Sequence, residues 1–198
     1  MYKVGITGGI GTGKSIVCRI FSSLNIPVYD ADSRARWLME NHPDIRLALI
    51  NWLGEEVYAD GQLNRSFLAS VAFKDPETTE TLNRLTHPSV RDDFNDWILK
   101  HENAPYIIKE AALLYESGSC KDLDSMIVVS APMDLRIERI LKRDPQRSRQ
   151  QVLDIIERQW PDEKKLSLAD YIIYNDEQAP VIEQVLILHQ NFMSKLLL

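Results

Sequence analysis

Four glycines fall within six residues near the start of the chain, in Gly8-Gly9-Ile10-Gly11-Thr12-Gly13-Lys14-Ser15. The spacing is a full match to G-x-x-x-x-G-K-[ST], a loop that leaves a strand, wraps phosphates in backbone N–H groups and enters a helix. Glycine permits positive φ and lets successive N–H groups turn inward as an anion nest. Lys14 supplies a mobile charge that follows the β- and γ-phosphates. Ser15 offers a small hydroxyl to Mg²⁺, an ion that keeps several waters and takes few protein ligands. The helix after the loop points the positive end of its dipole at the phosphates. The flanks agree with this reading. Tyr2–Thr7 alternates as a strand, whereas Ile16, Val17, Ile20, Phe21 and Leu24 recur on one helical face opposite Arg19, Ser22 and Ser23. A glycine-rich turn that binds nothing is the competing reading. It explains neither the lysine and serine nor why half of the chain's eight glycines sit here. A bound nucleoside triphosphate is expected.

With 198 residues the chain accommodates one α/β core plus an inserted subdomain. Its hydrophobic content of 44% and charged content of 26% are those of a globular protein, and no run approaches the roughly 20 apolar residues of a membrane span. With a strand expected at the N-terminus, no signal peptide is expected. Cys18 and Cys120 make neither a metal pattern nor a disulfide framework, so a cytoplasmic setting is expected. A net charge of −6 argues against a nucleic-acid partner over the whole surface, and nothing points to a membrane or to a particular oligomeric state. The charge is uneven, however. Residues 136–165 hold nine Lys and Arg against six Asp and Glu, on an otherwise acidic chain.

Beyond the first helix, Ile26-Pro27-Val28-Tyr29-Asp30 reads as a second strand, and Asp30-Ala31-Asp32-Ser33 suits the start of a helix that continues through Arg34, Arg36 and Trp37. Functional groups gather at the carboxyl ends of parallel strands, which singles out Asp30 and Asp32; one of them also suits a helix cap. Residues 43–101 show helical recurrences, punctuated by Pro43, Asp60-Gly61, Pro76 and Pro88, and read as a helical insertion. Arg65 and His87 stand out there, although a lone histidine before proline is more often structural. Tyr106–Glu110 is a third strand, with Glu110, Glu116 and Ser117 at or beyond its end. Ser125–Ser130 is an apolar run suited to a strand buried on both faces. Pro132 opens a helix rich in basic residues, Arg136, Arg139, Lys142 and Arg143, and the run continues through Arg147, Arg149 and Arg158. A solvated helix face competes here with a flexible basic flap that closes over phosphates. Tyr171–Tyr174 is a fifth strand ending at Asn175-Asp176, and residues 178–197 form an amphipathic helix.

Taken in order, these motifs resemble the dephospho-CoA kinases, a family of small P-loop kinases. The resemblance rests on Val4–Ser15, on Asp30-Ala31-Asp32, and on Asp60-Gly61 through Leu63, Arg65 and Phe73 to Thr86-His87-Pro88. It continues through Leu113-Leu114-Tyr115-Glu116, Arg139 with Arg143-Asp144, Arg158-Gln159 and Tyr171–Asn175. Three positions depart from the family pattern: Ile16 stands where threonine is usual, Ala112 where proline is common, and Tyr174 where aspartate often precedes the asparagine.

The resemblance implies a P-loop NTPase fold, a five-stranded parallel sheet flanked by helices. The core would comprise about residues 1–40, 104–142 and 168–198, with an acceptor-binding helical insertion at about 41–103 and a basic lid at about 143–167. It implies ATP- and Mg²⁺-dependent phosphorylation of the ribose 3′-hydroxyl of dephospho-CoA. Gly9, Ile10, Gly11, Thr12, Gly13, Lys14, Ser15, Ile16 and Asn175 would bind ATP, and Ser15 would also bind the metal. Asp32 would take the acceptor's proton, Lys14, Arg139 and Arg143 would neutralise the transferring group, and Asp32, Arg65 and His87 would bind the acceptor. Two alternatives stay open. One is another small P-loop kinase, acting on a nucleoside monophosphate or shikimate. The other is a nucleotide-dependent binding switch, which as a GTPase would need an Asn-Lys-x-Asp stretch that this chain lacks.

Overall fold

A computed structural model describes residues 1–72 and 76–195. In chain order the elements are β1 (Tyr2–Thr7), α1 (Lys14–Ser23), β2 (Val28–Asp30), α2 (Ala31–Asn41), α3 (Pro43–Leu53), β3 (Tyr58–Ala59), β4 (Gln62–Leu63), α4 (Arg65–Ala72) and α5 (Pro76–Leu99). They continue with β5 (Tyr106–Glu110), β6 (Ser125–Ser130), α6 (Met133–Arg143), α7 (Arg149–Glu157), α8 (Asp162–Ser167), β7 (Tyr171–Tyr174) and α9 (Val181–Lys195). Two compact units result, one made of Met1–Asp30 with the chain from His101 onward, the other of Ala31–Lys100.

The first unit is built on the expected five-stranded sheet, in the order β2-β5-β1-β6-β7 with every pair parallel. Alternate residues Val4, Ile6, Ile108, Ile127 and Ile173 pack with Val17 and Phe21 of α1 and with Val185, Leu188 and Phe192 of α9. Fully burying each large side chain is worth about 1.5–3 kcal/mol. Residues of the other parity, Ile107, Met126 and Val128, are buried as well, which is why β5 and β6 read as continuous apolar runs. β2 is shorter than expected and starts at Val28, because Pro27 has no N–H to give and joins the sheet only through its carbonyl, which accepts from Ile108 N. The last helix also starts late, at Val181, because Asp176 folds residues 176–179 into a turn by accepting from the N–H groups of Gln178 and Ala179. Positions 196–197 of that expected helix lie outside the described residues.

The second unit packs its helices around Leu38, Ile45, Leu49, Val57, Leu63 and Leu68. It begins with α2, ten residues before the boundary expected at about 41, since Leu38 of α2 belongs to this core. Two features differ from the sequence reading. First, a hairpin is present: β3 and β4 pair antiparallel through Asp60-Gly61, both at positive φ (51° and 77°), the geometry of a two-residue hairpin turn. Second, Pro88 does not end a segment; α5 runs through it, giving up the bond that Pro88 has no N–H to make. Phe73, part of the family resemblance, lies outside the described residues. Among the described residues no helix is long and apolar enough to cross a membrane.

Candidate active site

The carboxyl end of β1 opens into the glycine loop, and Lys14 begins α1 directly after it. Gly11 and Gly13 adopt φ of 82° and 94°, a region that favours glycine. A further constraint is steric. A Cβ on Gly9 would overlap the Arg136 guanidinium, one on Gly11 the Arg136 backbone oxygen, and one on Gly13 the Asn175 side-chain amide. The loop is therefore pressed against distant parts of the chain. Gly13 carries no side chain to cap α1, and the first turn of the helix holds no acidic residue of its own.

The residues of the loop divide into two groups. Thr12 is fully buried and spends its hydroxyl on Gly9 O (2.9 Å), so it serves the shape of the loop. Ser15 and Ile16 are exposed on the first turn of α1. Lys14 Nζ donates to Gly8 O (2.9 Å) and lies 3.9 Å from Glu110 Oε1, with both side chains largely buried. Glu110 ends β5, and the register sets it beside Ile6 on one flank and Asp30 on the other. Sequence reading assigned Glu110 no role. Its signal was an acidic residue closing an apolar strand, and the link to Lys14 appears only once β5 is known to lie beside β1. Ser15 and Glu110 are hard oxygen donors of the kind Mg²⁺ prefers.

Asn175 was expected to bind ATP. Here it lies against the loop, its Nδ2 donating to Thr12 O (2.9 Å) and its N–H to Ser130 O. Arg139 reaches the same residue, donating to the Asn175 backbone oxygen (3.1 Å) and to Oδ1 (3.3 Å), and pairs with Glu177. Arg143 forms a two-bond contact with Asp144, which Arg147 also joins. Those contacts hold the Asp144 carboxyl below its ordinary range, the Arg143 hydrogen bond most of all.

The basic segment is only partly a surface feature. Arg136 and Lys165 are fully buried and paired, with Asp162 and Glu116 respectively. Two of the nine basic residues of 136–165 thus lie inside the protein. The far end of the expected lid is also anchored: Trp160 N donates to Glu116 Oε1 (3.0 Å), and the Trp160 ring stacks on Tyr115. Burial pushes the Tyr115 hydroxyl up to about 12, and it donates to Leu168 O. Lys142, Arg143, Arg147, Arg149, Arg158 and Lys164 remain open to solvent, and at the start of α7 Ser148 and Gln151 form a capping box.

Asp30 closes β2 in the first unit, and Asp32 sits exposed in the first turn of α2 in the second. The helix begins at Ala31, earlier than expected, which places the Asp32 carboxylate at the positive end of the α2 dipole. In the second unit Arg65 pairs with Glu40 (2.7 Å) beside a cleft of about 730 Å³ lined by Asn41, Gly61, Gln62, Asn64 and Ser66. His87 is partly buried on α5, just before Pro88.

Comparison with known proteins matches this architecture. The family model for dephospho-CoA kinase matches residues 2–180. The dephospho-CoA kinase of Bacteroides fragilis is 38% identical over 184 residues, covering 93% of this chain and 89% of that protein. Among solved structures, TT1252 from Thermus thermophilus superposes with a TM-score of 0.85 at 32% identity, covering 96% of both chains. The dephospho-CoA kinase of Campylobacter jejuni superposes at 0.70 with 26% identity, covering 98% of both. With its parallel sheet, its glycine loop and a family match over nearly its whole length, this chain belongs to the dephospho-CoA kinases.

Proposed function

We propose that the protein transfers the γ-phosphoryl group of ATP to the ribose 3′-hydroxyl of dephospho-CoA, yielding coenzyme A. The observation that carries this reading is the glycine loop, shaped against Arg136 and Asn175 and followed by Lys14, in a chain of this family. Phosphoryl transfer is chiefly positioning and charge stabilisation, which suits a site of backbone donors and mobile cations. The N–H groups of Gly11, Gly13, Lys14 and Ser15 cradle the phosphates, those of Ile10, Thr12 and Ile16 being bonded within the protein. Lys14 Nζ, which donates to Gly8 O and lies beside the Glu110 carboxylate, turns toward the β- and γ-phosphates when they bind. Asn175 serves the nucleotide through Thr12 by holding the loop. Ser15 and Glu110 would hold Mg²⁺, which would offset the negative charge of the phosphates.

On the acceptor side, Asp32 accepts the proton of the 3′-hydroxyl, and Asp30 at the strand end orients the groups around it. Arg65 releases Glu40 to pair with the acceptor's diphosphate, and His87 contributes a further donor. Arg139 and Arg143 exchange Glu177 and Asp144 for the transferring phosphoryl group, each pair having one largely exposed partner. Two reduced cysteines accord with a cytoplasmic enzyme. The deciding assay measures ATP consumption with dephospho-CoA against AMP, UMP and shikimate. Consumption with dephospho-CoA alone, and a product bearing a 3′-phosphate, is expected. Preference for any of the other three acceptors would overturn the proposal.

A further inference from the structure

Ile10 stands within the phosphate loop, and three separate contacts hold it. Its N–H donates to Gln159 Oε1 (2.8 Å). Its carbonyl accepts from Arg136 Nε (2.9 Å). Its side chain packs with Leu141, Leu153 and Ile156 against the cluster of Ile137, Ile140 and Val152 from α6 and α7. Arg136 is in turn oriented by Asp162, the first residue of α8. The N–H and the carbonyl lie on either side of one Cα, so bonding both to side chains fixes φ and ψ at that point of the loop. The one acceptor and the one donor that do this come from outside the sheet. Gln159 lies between α7 and α8, 149 residues from Ile10.

We propose that Gln159 and Arg136 are positioning residues that keep the phosphate loop in its binding shape by clamping Ile10, with Gln159 acting from the root of the basic segment. Neither residue acts on the nucleotide directly; each acts through the loop backbone. The geometry couples two events. Any displacement of the α7–α8 connection pulls on Ile10, and any change in the loop on binding phosphates is felt at Gln159. The clamp rests on the reading of this loop as the ATP site.

The test compares Gln159→Leu, which removes the acceptor at similar size, with Gln159→Glu, which keeps it. Gln159 is only partly buried, so both variants should fold. Four quantities are measured on the full chain: ATP affinity by calorimetry without acceptor, the KM of each substrate, amide exchange at Ile10, and Tm. Gln159→Leu should weaken ATP binding by about tenfold, the worth of one well-placed hydrogen bond. It should speed exchange at Ile10 and leave the KM for dephospho-CoA within about twofold, while Gln159→Glu recovers ATP affinity to within about threefold. Unchanged ATP affinity in Gln159→Leu overturns the proposal, even if Ile10 exchanges faster. So does an equal loss for both substrates with a lowered Tm that Gln159→Glu does not recover, since that is the pattern of general packing. A wild-type chain without ATP affinity would remove the ATP-site reading and this proposal with it. Normal wild-type affinity beside an unaffected leucine variant removes the proposal alone.

Discussion

Gly13 sits at φ 94°, with the Asn175 amide lying where a Cβ would project. Gly13→Ala therefore introduces two separable costs. Left-handed backbone costs an L-residue roughly 1–2 kcal/mol. Asn175 must also withdraw, breaking its 2.9 Å bond to Thr12 O. Leaving a buried carbonyl without its donor costs about 1–3 kcal/mol. Together the terms come to about 2–5 kcal/mol, a large share of the roughly 5–15 kcal/mol by which domains are stable. In a chain of this length each kcal/mol lowers Tm by about 2–4 °C, so melting should fall by about 4–20 °C. Only the second term depends on Asn175. In an Asn175→Ala background the space is open and Thr12 O has already lost its donor, so Gly13→Ala should then cost only about 1–2 kcal/mol. A double-mutant cycle by urea unfolding should return a coupling of about 1–3 kcal/mol. If Gly13→Ala costs the same in both backgrounds, Asn175 is not what reserves this position for glycine and the reasoning fails.

Lys14→Ala should lower kcat by about 10²–10³-fold or more while leaving the circular dichroism unchanged, and near-normal turnover would sink the assignment of its charge to the transferring phosphate. Asp32→Asn should lose most of kcat with ATP affinity by calorimetry held within about twofold, and Asp30→Asn should be milder; the opposite order would exchange their roles. Burial above all, with Glu110 adding to it and Lys14 opposing, raises the Cys18 thiol far beyond its ordinary range. A disulfide reagent at pH 8 should therefore titrate the partly exposed Cys120 first and reach Cys18 only on unfolding. The depressed Asp144 carboxyl stabilises the folded segment as its anion, so that contribution is complete above its ordinary value of 3.8 and is lost as pH falls through its lower folded value. Hydrogen exchange over residues 143–149 should accelerate in that acid window, and Asp144→Asn should show the faster exchange already at neutral pH.

How much of this was legible depended on whether a feature leaves a local trace. The strands β1, β5 and β6 and the loop after β1 could be read because apolar runs and glycine spacing are written within a few residues. The hairpin β3–β4 escaped notice because two-residue strands are too short to show alternation, although Asp60-Gly61 carries its turn signal. Pro88 suggested a break because propensity is local, whereas α5 is held as one helix by its tertiary setting. The basic run between 136 and 165 misled in another way. Counting charges says nothing of depth, and Arg136 and Lys165 are interior.

The contacts of the site that sequence reading missed share one property, and they include that of Asn175, which was named for ATP but not for bracing the loop. Glu110 meets Lys14 because β5 lies beside β1, a neighbour relation set by strand order in the sheet. Gln159 and Asn175 meet the glycine loop across 149 and 163 residues, through uncharged hydrogen bonds that leave no mark on composition or periodicity. The loop's glycines bear the other half of those contacts: Gly9 makes room for Arg136, and Gly13 for Asn175. A glycine motif thus records two demands at once, inward N–H groups for phosphate and an outer surface bare enough for the side chains that brace it. The first demand is general to phosphate loops and can be read from the pattern. The second is set by long-range contacts of the fold, and it predicts that bracing residues and glycines change together: a bulkier brace at Arg136 or Asn175 is tolerated only while the facing glycine stays, and removing the brace relaxes the need for it.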